Sequence, residues 1–278
     1  MRILTIDTSA IASAALISVV EAPNSGTDGP APYHSEVLAS FATEDTRSHA
    51  EVLAPGIESL FTDAVSEGPQ LDAIVVGVGP GPFTGLRSGI ATARTLSFAW
   101  DVPLHGMMSL EALAWDVLGA GYQDAVITAS VRPPDRDFVI ATDARRKEVY
   151  WARYSWDGTL LDGPHVGPAT DLPALPVYGK GAGLYADALR AQGCTVDPDF
   201  AQAQPTAASL GLRAAVALHP ATHTAAPVAT RAGAGPAQPA AAVVRLTSRP
   251  PDRTLRDSTP LYLRESDAQV PGPRKRAL

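Results

Sequence analysis

The chain has 278 residues, a formal net charge of −7 and 45% hydrophobic residues, enough for one large or two small domains with a sizeable core. Because an acidic surface repels phosphate backbones, we do not expect the chain to bind RNA on its own. Its one cysteine, Cys194, excludes an intramolecular disulfide and a multi-cysteine metal site. The short apolar stretch after Met1 predicts no signal peptide and no run is long enough for a membrane span, so we expect a cytoplasmic protein.

The first residues predict a β-hairpin with a polar turn. Residues 3–6 and 14–20 have strand patterns, and Asp7, Thr8 and Ser9 lie between them. Hydroxyls and amides in such a turn suit phosphate oxygens, and a carboxylate suits a Mg²⁺-bound water. A structural turn closed by the Asp or Ser side chain explains the same residues. Both interpretations stand at this point.

Helical spacing follows a third predicted strand at residues 35–42. Ser48 and Glu51 have the spacing of a capping box, and an apolar stripe continues to residue 64. We therefore predict a helix over residues 49–64, with a kink at Pro55. Residues 71–78 then predict a buried strand.

The next segment contains Gly77, Gly79 and Gly81 and predicts a strand, a glycine turn and a helix over residues 84–100. A helix start after such a turn favours anions. The prolines at positions 80 and 82 remove amide donors, however, and neither a Walker loop nor a dinucleotide fingerprint is present. A tight structural turn is an equally good interpretation.

A second unit begins near residue 124. We predict strands at residues 125–130 and 138–142, separated by a polar insertion at 131–136, and a hairpin partner at 147–154. A second glycine junction follows residue 177. Because an Asp turn and a glycine junction each occur twice, we predict two related lobes. We predict a first lobe at residues 1–108 and a second lobe at residues 109–218. An Ala/Pro-rich mobile segment follows at residues 219–258. The C-terminal segment, residues 259–278, docks through residues 260–264 and ends in a basic tail.

No catalytic residue and no metal ligand emerges from the motifs. His219 and His223 are four residues apart, but Pro220 lies between them and the Glu of a zincin motif is missing. No G-x-S-x-G nucleophile elbow is present. Cys194 has the features of a semi-buried thiol.

Five stretches in the right order, spanning most of the chain, together resemble the TsaB (YeaZ) family. They are residues 6–9, 48–51, 76–94, 143–150 and 260–264, of which residues 79–87 (Gly-Pro-Gly-Pro-Phe-Thr-Gly-Leu-Arg) are similar to the glycine signature of that family. The resemblance implies an α/β protein with the actin-like ATPase fold, the ribonuclease H-like ASKHA architecture of two lobes.

The resemblance also implies a function. Family members are non-catalytic subunits for the formation of threonylcarbamoyladenosine (t6A) on tRNA, and they pair with the catalytic paralogue TsaD and with the ATPase TsaE. A homodimer is left open, tRNA is expected to be contacted only through the complex, and no membrane is involved. No cofactor is required. Weak binding of ATP or ADP is left open at Asp7, Thr8, Ser9, Gly79 and Gly81.

In the catalytic paralogue a His-x-x-x-His pair on a helix holds a metal. Ser109 and Leu113 stand at those positions here, and neither can replace imidazole as a transition-metal ligand. The resemblance therefore implies a pseudoenzyme.

Family members pair through the two helices around the glycine turn, predicted here at residues 49–64 and 84–100. The apolar and small-residue stripes of these helices supply the predicted interface residues: Leu53, Ile57, Leu60, Phe61, Gly85, Ser88, Gly89, Thr92 and Ala93. Burial of both stripes against the chain's own sheet is the alternative, and it must hold for at least half of these residues.

Two other functions remain open on the sequence. One is an actin-fold ATPase or kinase that uses Asp7 and the glycine turns, and only turnover separates it from a subunit with weak nucleotide binding. The other is a metallopeptidase, which the missing His-x-x-x-His pair disfavours.

Overall fold

The structure is a computed structural model that describes residues 1–21, 33–43, 49–61, 70–127, 137–218 and 254–264. The strands of these residues are β1 (Arg2–Asp7), β2 (Ser13–Glu21), β3 (Tyr33–Ala42), β4 (Ala73–Gly77), β5 (Leu104–Met107), β6 (Phe138–Asp143), β7 (Glu148–Tyr154), β8 (Leu160–Pro168), β9 (Pro176–Tyr178), β10 (Thr195–Val196) and β11 (Leu255–Arg256). The α-helices are α1 (His49–Ser59), α2 (Phe83–Trp100), α3 (Leu110–Ile127), α4 (Lys180–Leu184), α5 (Ala186–Ala191) and α6 (Ala207–Leu218).

The strands form two sheets with the same internal arrangement. The first has the order β11-β5-β4-β1-β2-β3 and the second β10-β9-β6-β7-β8. Strand β1 is antiparallel to β2 and parallel to β4, just as β6 is antiparallel to β7 and parallel to β9. Strands β3 and β8 add antiparallel edges, and β5 and β10 pair in parallel with β4 and β9. This repeat confirms the predicted α/β fold with two lobes.

The first sheet is covered by helices on both faces, which explains its continuous apolar strands. Alternate residues of β1 point to opposite faces. Leu4 belongs to the apolar cluster that contains α1 and α2, whereas Ile3 belongs to the cluster that contains α6 and part of α3. The central strand β4 is buried along its whole length.

Helix α6 packs on the first sheet, although the predicted division placed residues 207–218 in the second lobe. The Thr5 hydroxyl of β1 donates to the Ala207 carbonyl at 2.7 Å, and the Ala207 N–H donates to the Ser13 hydroxyl at 3.0 Å. The apolar face of α6 lies against Ile3 and Ile17. The second lobe therefore ends before α6, and the chain returns to the first lobe.

One predicted strand is wrong over the part of it that the structure describes. Residues 125–130 were expected to be extended, but α3 continues to Ile127, and residues 128–136, including the predicted insertion, lie outside the described residues. Residue 48 of the predicted capping box and residues 62–64 of the first predicted helix also lie outside them. No helix in the described part of the chain is both long and apolar enough to cross a membrane.

The last described residues, 254–264, run from the first sheet to the second, and we call them the C-terminal strap. Strand β11, at residues 255–256, pairs with β5, so the predicted mobile segment ends in residues that are part of a sheet. The Leu261 N–H donates to the Val78 carbonyl at 2.7 Å, and its side chain packs against apolar clusters of both lobes. At the far end Arg264 donates to the Ala144 carbonyl at 2.9 Å. The predicted basic tail, at residues 274–276, and both His219 and His223 lie outside the described residues.

Candidate functional site

Asp7 ends β1 and is fully buried, with both carboxylate oxygens held by protein donors. The Ser9 N–H and hydroxyl donate to Oδ1 at 2.9 and 2.7 Å, and the Ser109 hydroxyl donates to Oδ2 at 2.6 Å. A buried carboxylate needs such partners because desolvation without them is costly. Ser109 comes immediately before α3, so this helix helps to position the Asp7 turn.

The glycine loop after β4 packs directly on the Asp7 turn. A Cβ at Gly77 would lie 1.8 Å from Asp7 Oδ2, and a Cβ at Gly81 would lie 2.7 Å from the Ser9 carbonyl oxygen. Gly79 has a positive φ of 98° and donates its N–H to the Ser109 hydroxyl at 3.2 Å. Glycine is required here because the two turns approach more closely than any side chain allows.

The structure thus brings together the five residues predicted to bind nucleotide, but it brings them together as packing partners. Thr8 lies on the other side of the same turn, where its hydroxyl donates to the Gly85 carbonyl of α2 at 2.7 Å. The hydrogen bonds and close contacts at this site hold β1, the glycine loop and α3 together.

The small-residue stripe of α2 serves this internal contact. A Cβ at Gly89 would lie 2.2 Å from Thr8 Oγ1, so glycine allows the helix to rest on the Asp7 turn. Six of the nine predicted interface residues are buried within the chain itself, namely Leu53, Ile57, Leu60, Gly85, Gly89 and Ala93. Phe61, Ser88 and Thr92 are half-buried. The alternative interpretation of the stripes therefore holds for most of them.

The outer face of α2 has one prominent apolar residue, Phe98, which is 91% exposed. It borders a surface recess of about 500 Å³, whose lining includes Arg94, Asp101 and Leu104. Sequence reasoning missed Phe98, although the signal was present. It follows Arg87, Ala91 and Arg94 at helical spacing, on a face that is otherwise polar or small.

The C-terminal strap lies beside this exposed face of α2. Arg94 donates to the Ser258 hydroxyl and carbonyl, both at 2.9 Å, and Arg87 donates to the Tyr262 hydroxyl at 3.1 Å. The Tyr262 ring stacks on Phe83 at 4.3 Å between centroids. The outer surface at α2 is therefore formed by two segments that are far apart in sequence.

The positions of the paralogue's metal pair do not fit a transition metal. Ser109 is engaged with Asp7, and Leu113 is buried in an apolar cluster, where its Cδ1 is 3.3 Å from the position of a Cβ at Gly179. Neither offers an imidazole. Among the residues that the structure describes, no group of three His, Cys, Asp or Glu side chains could hold a metal ion.

Two carboxylates on α3, the buried Glu111 and the half-buried Asp116, connect this helix to α6. Arg213 Nε donates to Glu111 Oε2 at 3.2 Å, and its Nη2 donates to the Thr254 hydroxyl of the strap at 3.1 Å. Burial raises the pKa of Glu111, and the Arg213 charge opposes that rise. One turn and a half further on, Asp116 accepts a hydrogen bond from the Ser209 hydroxyl at 2.9 Å, and burial raises the pKa of Asp116 to about 7.

The raised pKa of Asp116 predicts a pH-dependent stability. The folded chain holds a proton that the unfolded chain loses near the ordinary Asp pKa, so the contribution of Asp116 is present at acidic pH and is lost as pH rises towards 7. We expect Asp116→Asn to be more stable than the wild type at pH 8 by about 1–2 kcal/mol, with a smaller or reversed difference near pH 4. Thermal unfolding over this pH range, with the exposed Asp187→Asn as control, measures the effect. A difference that does not change with pH would contradict the assignment.

Comparison with protein families gives one model that covers most of the chain. The model described as TsaD: tRNA N6-adenosine threonylcarbamoyltransferase matches residues 36–245. An uncharacterized protein of Mycobacterium tuberculosis is 42% identical over 146 residues, which are 51% of this chain and 61% of that protein. The Bacillus subtilis tRNA threonylcarbamoyladenosine biosynthesis protein TsaB is 32% identical over 126 residues, which are 45% of this chain and 49% of that protein. The chain thus spans about half to three-fifths of the length of these curated relatives.

Solved structures share the fold. A Pseudomonas aeruginosa protein described as similar to peptidase YEAZ has a TM-score of 0.54 and 26% identity, with 78% of this chain and 92% of that chain covered. The structure described as YeaZ from Pseudomonas aeruginosa has a TM-score of 0.51 and 26% identity, with coverages of 79% and 93%. The two-lobed α/β fold is therefore common to all three.

Proposed function

The chain belongs to the TsaD family and is a TsaB-type member of it with the actin-like fold, and we propose that it is a non-catalytic subunit that supports t6A formation by pairing with a TsaD-type catalytic subunit. One observation supports the proposal that the subunit is non-catalytic. At the place where the catalytic paralogue has its metal pair, Ser109 binds Asp7 and Leu113 fills an apolar core.

The Asp7 turn gives the same proposal a physical basis. A kinase or ATPase needs an open site that admits the phosphates and a metal-bound water. Here the carboxylate is buried beneath Gly77 and Ser109, so its contribution is to fold stability. Nucleotide is not required by the proposed function, and a TsaE-type ATPase supplies that activity in the proposed assembly.

The experiment is reconstitution of t6A synthesis. TsaC-, TsaD- and TsaE-type proteins are incubated with tRNA, ATP, threonine and bicarbonate, with and without this protein, and t6A is quantified. We expect t6A only in its presence, and no turnover of ATP or peptide by the protein alone. Equal t6A without it would reject the subunit function, and ATP turnover by the protein alone would favour an actin-fold ATPase instead.

We place the pairing surface on the outer face of α2, centred on Phe98. An aromatic side chain that is largely exposed beside a recess is the kind of residue that dominates interface energies once a partner buries it. Because Leu60 and Ala93 are buried in the chain, substitutions there would test folding and not pairing.

The prediction for this surface concerns Phe98→Asp. We expect it to weaken pairing with the TsaD-type subunit about 30- to 1,000-fold, the range of an interface hot spot, with an unchanged melting temperature because Phe98 makes few contacts in the chain. Leu161→Asp, at an exposed position on the outer strand β8, is the matched control. Analytical ultracentrifugation or titration calorimetry gives the affinities, and normal pairing by Phe98→Asp would place the interface elsewhere.

A further inference from the structure

The turn between β6 and β7 is the counterpart, in the second lobe, of the Asp7 turn. Asp143 ends β6 as Asp7 ends β1, but here Ala144 is followed by Arg145, Arg146 and Lys147. All three are exposed, and all three have positive φ angles, of 61°, 54° and 63° respectively. We call residues 145–147 the cationic turn.

The residue types of the cationic turn do not favour its own conformation. A Cβ disfavours the left-handed region, where glycine and asparagine fit best, and three successive residues bear that strain here. Adjacent like charges also repel one another. Backbone strain of this kind is concentrated at functional sites. The choice of arginine and lysine is therefore better explained by something outside the chain than by the fold.

The cationic turn is held in place from two directions. The Arg145 N–H donates to Asp143 Oδ1 at 2.8 Å, and the Glu148 N–H donates to the Arg145 carbonyl at 3.0 Å. From the strap, Arg264 donates to the Ala144 carbonyl at 2.9 Å and forms an ion pair with Glu148. The cations are thus presented on a fixed support, which lowers the entropy lost on binding.

The local charge is opposite to that of the whole chain. Arg264 and the three residues of the cationic turn bring four positive charges, and Asp143 and Glu148 bring two negative ones, which leaves a balance of +2 on a chain of net charge −7. A phosphate is attracted to such a local excess of positive charge even though the chain as a whole is acidic. The Arg145 side chain remains 66% exposed although it contacts Asp143.

We propose that the cationic turn binds phosphate groups of the RNA backbone, so that tRNA contacts this chain at residues 145–147 within the assembly. The inference rests on the proposed function, which supplies tRNA as the common substrate. RNA phosphates and the phosphates of a free nucleotide share the same chemistry. The backbone of RNA fits better, because exposed cations on a turn reach a polyanion without enclosing it, whereas nucleotide recognition uses a concave pocket.

The test uses a charge-removing variant that relieves the strain. Arg146→Asn combined with Lys147→Gly removes two cations and places residues that accept positive φ. The control, Arg2→Gln combined with Arg190→Gln, removes the same charge from exposed positions elsewhere. Binding of tRNA to the complex with the TsaD-type subunit is measured by fluorescence anisotropy over a range of salt concentrations, and ATP binding is measured in parallel.

We expect the turn variant to bind tRNA about 5- to 20-fold more weakly, with the slope of log affinity against log salt reduced by about 2, close to 0.9 for each lost phosphate contact. Its melting temperature should equal or exceed that of the wild type, and its pairing and ATP binding should be unchanged. The control should stay within about 2-fold of the wild type in tRNA affinity, because its cations lie away from the turn.

Three results would overturn the inference: unchanged tRNA binding by the turn variant, an equal loss in the control, or a loss confined to ATP binding. Each of them leaves the proposed function standing, because they are comparisons between variants that pair normally. Failure of the proposed function would be seen in the wild-type protein instead, as t6A formed equally well without it.

Discussion

Gly77→Ala is expected to destabilise the protein by about 3–5 kcal/mol. The added Cβ would lie 1.8 Å from Asp7 Oδ2 and 2.8 Å from the Ser109 hydroxyl oxygen, so the carboxylate must move and lose its donors. Overpacking costs about 1–3 kcal/mol and a lost hydrogen bond to a charged group about 1.5–3 kcal/mol. Urea unfolding followed by circular dichroism measures the change.

Two further variants isolate the cause. Gly167→Ala in β8 is the matched control, because the new Cβ there meets only the end of the exposed Asp171 side chain, at 3.0 Å, and that side chain can move. In an Asp7→Ala background, Gly77→Ala should cost about 1–3 kcal/mol less than in the wild type, since the two changes share one contact. Additive costs would mean that the carboxylate is not what excludes a side chain at position 77.

The repeat of two lobes was predictable because strand signals are local. The β-branched run at β4, the Asp turns and the two glycine junctions each depend on a few neighbouring residues, and they occur in the same order in both lobes. The strand predicted at residues 125–130 failed for the same reason. Val126 and Ile127 favour a strand locally, but they continue the apolar helix α3.

The assignment of α6 could not be read from the sequence. An apolar helical stripe shows that a helix is buried on one side, but it does not show which sheet covers it. The Thr5 hydroxyl and the Ser13 hydroxyl, about 200 residues earlier in the chain, anchor the start of α6 to the first sheet. Such long-range contacts leave no periodic signal in the sequence.

The interface residues show a similar limit. Leu53, Ile57 and Leu60 were chosen for their helical spacing, and that spacing identifies the face that meets the chain's own sheet. The pairing surface that we propose lies instead on exposed positions, such as Phe98 of α2. Only the burial of each residue in the folded chain separates the two faces.

The sequence predicted which residues of the candidate site lie together, but not how closely they pack. Asp7 and the other four predicted residues do meet, because β1 and β4 are parallel neighbours whose ends lie at the same edge of the sheet. Whether a turn of this type admits a phosphate depends on how closely the glycine loop approaches, which follows from packing. Ser109 completes the contact from 102 positions further along the chain.

The second large effect is expected for Arg213→Met. This change leaves Glu111 buried without its cation, and removing one partner of a buried ion pair costs about 3–5 kcal/mol. Arg190→Met, which breaks the exposed pair with Asp187, should cost no more than about 0.5 kcal/mol. Urea unfolding of the two variants measures both, and equal costs would show that the buried pair is solvated.

The stability lost in Arg213→Met should depend on pH and on the presence of Glu111, and these two dependences identify its cause. Burial raises the pKa of Glu111, and without Arg213 only the weaker influence of the Arg256 charge opposes that rise, so the pKa of Glu111 is higher in the variant than in the wild type. The folded variant therefore holds a proton that the unfolded chain releases, so its deficit should shrink as pH falls towards the ordinary Glu range and grow as pH rises. Replacing both residues, as Glu111→Leu with Arg213→Met, should recover most of the stability, because well-packed apolar pairs substitute for buried ion pairs at little cost. If the double variant were as unstable as the single one, the loss would come from the hydrogen bond to Thr254 and the docking of the strap, and not from an unpaired carboxylate.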